Sequence, residues 1–141
     1  MIYICLLFSL TGMAQKKQLQ AVRDQIKSGK ELTKAENTLR GLLVDSASKK
    51  NNKIWLLLCD ALTKQYEQGN EKLYLKQKYD TAALFTVTRK LYDVMSRFDS
   101  LDAQPDAKGR VRAKYRAKHA EFLNSIRPNL FNGGSYFIHK K

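Results

Sequence analysis

The chain is read as all-α, and three observations carry that reading. Apolar residues recur three and four apart in most segments between polar joints, the spacing of one helix face. Proline occurs only at 105 and 128, and both positions fall at joints between those segments. No stretch reads as a half-buried strand, and the one Asn-Gly pair, Asn132-Gly133, lies inside an apolar pattern.

Six helices are expected. The first spans about residues 17–28, with Leu19, Val22 and Ile26 on one face, and Ser28-Gly29 as its stop. The second spans about 32–46, striped by Leu32, Ala35, Leu39, Leu42 and Leu43. The short link between them requires an antiparallel hairpin. The third covers about 53–68 and ends at Gly69-Asn70. Its broad face of Ile54, Trp55, Leu57, Leu58, Ala61, Leu62 and Tyr66 calls for cover on two sides, so it is expected at the centre. "EKLYLKQ" reads either as a turn or as part of the next helix. A fourth helix runs from about 79 to 101, a fifth from about 106 to 125, and a sixth opens at Pro128, where a missing N–H leaves nothing unpaired.

The charge is strongly asymmetric. Lys plus Arg number 26 against 13 Asp plus Glu, a formal net charge of +13, and no charged residue precedes Lys16. Such an excess serves solubility and also suits anionic partners. The opening "MIYICLLFSLTGMAQ" is apolar and ends in small residues, like a secretory leader, and is too short to span a bilayer, which takes about 20 residues. Gly12 and Ala14 fit cleavage after Ala14, which defines a signal peptide over 1–14 and a helical domain over 15–141. The leader lacks a basic start. Tyr3 and Ile4 argue against lipid attachment at Cys5. Export follows: periplasmic, outer-membrane-associated or secreted.

Candidate chemistry is sparse. Cys59 lies among large apolar residues and reads as a small buried hydrophobe; with Cys5 in the leader, no disulfide framework forms. His119 and His139 are too far apart for a metal pair with Cys59. No nucleophile elbow, zinc-helix motif or phosphate-cradling loop occurs. No cofactor and no reaction are expected. The basic run "KGRVRAKYRAKHA" places Lys108, Arg110, Arg112, Lys114, Arg116 and Lys118 at every second residue. On a helix these charges divide between two flanks. They are the candidate anion-binding surface, in a final third, from Gln104, of net charge +7. The alternative is a solvated helix whose long side chains cover its own apolar flank. Export disfavours nucleic acid and leaves an acidic protein or an anionic membrane surface. Tyr74, Tyr79 and Tyr92 either line a groove or seal helix joints.

Small residues open two helices. "GKELTKAENTLRGLL" leads from a Gly turn to Ala35 and then to Leu39, Leu42 and Leu43. "QKYDTAALFTVTRKLYDV" leads from a basic, aromatic turn to Ala82 and Ala83 and then to larger residues. "LFNGGSYFIHKK" offers Gly134 between Leu130 and Phe137. These stretches resemble the tetratricopeptide-repeat family, whose helix-turn-helix unit has about 34 residues. The likeness covers residues 16–50, 53–99 and half a unit over 127–141. Arg23 stands where that family has a small residue, and the second unit has a longer linker.

With the leader, the layout is similar to exported repeat proteins of Gram-negative bacteria. The resemblance implies stacked antiparallel hairpins in an α-solenoid, with Ala35, Ala82 and Gly134 as close-packing positions. It further implies a non-catalytic scaffold that holds a protein or peptide partner. In that register the last repeat is incomplete, and 15–141 is expected to be the N-terminal part of a longer protein. Phe131, Tyr136, Phe137 and Ile138 would otherwise lie uncovered at the end of the stack.

Overall fold

The computed structural model describes the backbone of residues 2–140 and the side chains of residues 13–140. Most of the expected leader, and Lys141, lie outside the described side chains. The described residues are all-helical: α1 (Ile2–Ser28), α2 (Leu32–Val44), α3 (Asn52–Tyr74), α4 (Thr81–Asp102) and α5 (Arg116–His139). No strand occurs among them, and no helix among them is long and apolar enough to cross a membrane.

α3 holds the middle. α2 and α4 pack against it, α1 touches both α2 and α3, and α5 packs on α4. The broad face read from the sequence is the reason: Ile54, Leu58, Ala61 and Leu62 are at most 1% exposed. Leu39 of α2, and Leu91 and Phe98 of α4, close on them with no exposed area. Each of these Leu, Ile and Phe side chains contributes about 1.5–3 kcal/mol of transfer free energy.

The joints are built from short polar residues. Gly29 takes φ 71° after α1, and its carbonyl accepts from Gln68 Nε2 at 2.9 Å, which ties the first turn to α3. Asn51 and Asp80 cap α3 and α4, their side chains accepting from the N–H of Lys53 and Ala82, both at 3.0 Å.

Several expected boundaries differ from the structure, beginning with the first helix, expected from about residue 17, which is part of an α1 that starts at Ile2. Gly69-Asn70 does not end α3, which runs on to Tyr74. Gly69 is buried under Tyr79: a Cβ there would stand 2.5 Å from the Tyr79 hydroxyl, so the glycine serves a close approach rather than a stop. The fifth helix does not begin near Asp106. Residues 103–115 are irregular, and α5 starts only at Arg116. The fifth and sixth helices are one, since α5 passes through Pro128 without interruption. Ile126 on one side of the proline, and Gly133 on the other, hold both halves inward.

The small residues divide. Ala35 is fully buried, whereas Ala82 is only half-buried. Gly134 is exposed, with open space where its Cβ would stand. The close approach falls one residue earlier: a Cβ on Gly133 would lie 2.9 Å from that of Phe85. A helix advances about 100° per residue, so a one-residue shift in register moves the contact from one glycine to the other.

Candidate functional site

The basic run lies mostly off the helices. Lys108, Arg110, Arg112 and Lys114 belong to the connection between α4 and α5, while Arg116 and Lys118 stand in the first turn of α5. All six are exposed. One carboxylate organises the connection. Asp106 Oδ1 accepts from the N–H of Lys108 at 2.8 Å and of Arg110 at 2.9 Å, and Oδ2 meets Arg110 Nε at 3.4 Å. Four cations therefore share one loop instead of dividing between the flanks of a helix. Charged and uncharged residues alternate along this run, a pattern that gives a helix no continuous apolar stripe. α5 begins without an acid in its first turn and without a side-chain cap, a poor electrostatic start for a helix.

His119 belongs to a joint. Its Nδ1 lies 2.7 Å from Asp99 Oδ1, and the pair is nearly buried where α5 meets α4. The ring stacks on Tyr115 and tilts against Phe98, at 6.1 and 5.7 Å between centroids. His139 is exposed, near the end of α5. Burial pushes the Cys59 thiol up to about 12, aided by the charges of Asp60 and Asp99, so it stays protonated and unreactive at neutral pH. Among the described residues no three His, Cys, Asp or Glu side chains could hold a metal ion.

The tyrosines mostly seal helix joints. Tyr92 donates to the Leu123 carbonyl at 2.6 Å, and Tyr66 accepts from Asn129 Nδ2 at 2.6 Å, both fastening α5. Tyr74 stands 85% exposed. At the far end a cavity of about 600 Å³ opens between α4 and α5, with Phe85 and Tyr136 against each other at 5.6 Å. Phe131, Phe137 and Ile138 of the same helix are exposed, at 64, 44 and 70%, and none of them lines that cavity.

The most organised polar feature escaped the sequence reading. Glu36, 2% exposed, accepts from Arg40 Nε at 2.8 Å, Lys90 Nζ at 3.1 Å and Gln65 Nε2 at 3.1 Å. Burial alone pushes its carboxyl up, but the bonds from Gln65, Arg40 and Lys90 outweigh burial and hold it below the ordinary value. Above this network, two adjoining cavities, about 600 and 310 Å³, lie between α2 and α4 and share Arg40 and Asp93 in their walls; together they make a groove. A signal was present: Glu36 falls four residues after Leu32 and three before Leu39, inside an apolar stripe, where a lone carboxylate demands partners. Arg40 lies one helical turn on, but Gln65 and Lys90 sit 29 and 54 residues away, beyond the reach of local spacing. No family model, curated protein or solved structure matches the chain.

Proposed function

We propose that this chain is a non-catalytic, exported helical-repeat scaffold that holds a protein partner. The order of packing supports stacked hairpins: α1 with α2, then α3 with α4, with α1 also meeting α3 as successive first helices do in such a stack. The observation that carries the binding role is the uncovered apolar end of α5, where Phe131, Phe137 and Ile138 face solvent within eight residues of one helix. Clustered exposed aromatics of this kind mark interaction surfaces.

A photo-crosslinking amino acid at Phe137, in the cell that makes the chain, tests the reading. A discrete adduct with one protein is expected; its absence overturns the partner role. Export is tested by mass spectrometry of the mature chain, which should begin at Gln15; an intact Met1 refutes it.

A second reading has its own support. The four cations gathered on the α4–α5 loop, with Arg116 and Lys118 beside them, suit an anionic surface. Binding to an oligonucleotide or an anionic vesicle should then weaken steeply with salt. Absence of binding at low salt removes this reading.

A further inference from the structure

We propose that the groove between α2 and α4 docks an extended acidic segment of a partner protein, about four residues long and ending in an apolar side chain. The inference rests on the protein-binding reading above and names the chemistry of that partner.

Charge supplies the first argument. Arg40, Lys49, Arg89, Lys90 and Arg97 stand around the groove, with Glu36 and Asp93 as its acids. Both acids are already engaged. Glu36 is held by Arg40 and Lys90, and Asp93 pairs with Arg97 at 3.1 Å. Among the described residues neither Arg89 nor Lys49 makes an ion pair. The excess cations suit a ligand that brings carboxylates.

Shape and polarity supply the second. The groove is cationic where α2 and α4 present Arg40, Arg89 and Lys90, and partly apolar farther along, at Leu43, Val44, Trp55 and Val94. Val44 stands 84% exposed at that end. The indole N–H of Trp55 donates to the Lys49 carbonyl at 3.0 Å, so the small part of this residue left at the groove wall, 9% of its surface, is apolar ring. A sugar-phosphate chain has no use for this end, whereas a peptide carrying acids and then an apolar side chain matches both. From Glu36 to Val44 a helix rises about 12 Å, the reach of roughly four residues of extended peptide. The groove is bounded by α2 and α4, so it is separate from the exposed end of α5.

Trp55 is the only tryptophan, and its emission reports the groove directly. The probe is a synthetic peptide of three glutamates followed by two leucines, free of tryptophan. A saturable change in emission is expected. Arg89→Glu with Lys49→Glu should weaken binding about ten-fold or more, while Arg112→Glu with Lys114→Glu on the loop should stay within about two-fold. Replacing the leucines of the probe by alanine should also weaken it.

Three results overturn the inference: no saturable change, equal loss in both double variants, or equal affinity for phosphatidylglycerol vesicles or a single-stranded oligonucleotide. Circular dichroism of each variant separates lost binding from lost fold. If the peptide fails while crosslinks at Phe137 persist, the groove assignment falls and the scaffold reading stands. If both fail, both fall.

Discussion

Glu36 of α2 and Lys90 of α4 meet at 3.1 Å across two helices whose Cα atoms nowhere come within 8 Å of each other. The carboxylate thus ties together two elements that α3 otherwise keeps apart. Glu36→Gln keeps the shape and removes the charge. Arg40 and Lys90 are about a third exposed, so water can take over part of their solvation. A loss of about 1–3 kcal/mol is expected, measured by urea denaturation. A loss below about 0.3 kcal/mol would show the network to be incidental.

The same residue sets a pH dependence. Its folded carboxyl titrates below its ordinary value of 4.5, so the unfolded chain takes up this proton first as pH falls. The stabilisation is complete above about pH 4.5 and is lost as pH drops through the folded value. The stability gap between the parent chain and Glu36→Gln should therefore close on acidification from pH 7 towards pH 3. A gap that stays constant over that range refutes the assignment.

Neighbouring glycines should respond in opposite directions. Gly133→Ala drives a Cβ to 2.9 Å from that of Phe85 and should destabilise by about 1–3 kcal/mol through overpacking. Gly134→Ala meets open space and should stabilise by about 0.5–1 kcal/mol, the usual gain from removing a helical glycine. Thermal unfolding of the two single variants decides; equal shifts would disprove the register of α5 on α4.

Pro128 lies inside α5 and has no N–H for the Asn124 carbonyl. Proline in a helix interior costs about 3 kcal/mol relative to alanine. Part of that returns through the stiffer unfolded chain. Pro128→Ala should raise stability by about 1–3 kcal/mol. An unchanged or lowered melting temperature would mean that the ring makes contacts outweighing the lost bond.

What could be read from the sequence follows a physical division. Faces were legible where one stripe met one neighbour: Leu32, Ala35 and Leu39 of α2 and Ile54, Leu58 and Leu62 of α3 are buried as their spacing required. Punctuation was not. Gly69 looks like a stop and Pro128 like a start, yet tertiary packing carries the helix through both, because Tyr79 covers the first and Ile126 and Gly133 anchor the flanks of the second. The basic run looked helical and is largely loop, since alternation from Lys108 to Lys114 offers no stripe to bury. The α2–α4 groove was invisible, because its walls come from segments some fifty residues apart and its floor from a third.

The Cys59 side chain is 3% exposed and its sulfur keeps its proton at neutral pH. A thiol-modifying reagent can reach it only when the centre of the molecule opens. The rate of its modification, followed by mass spectrometry of the peptide that contains it, is therefore a clock for spontaneous opening in the unaltered chain.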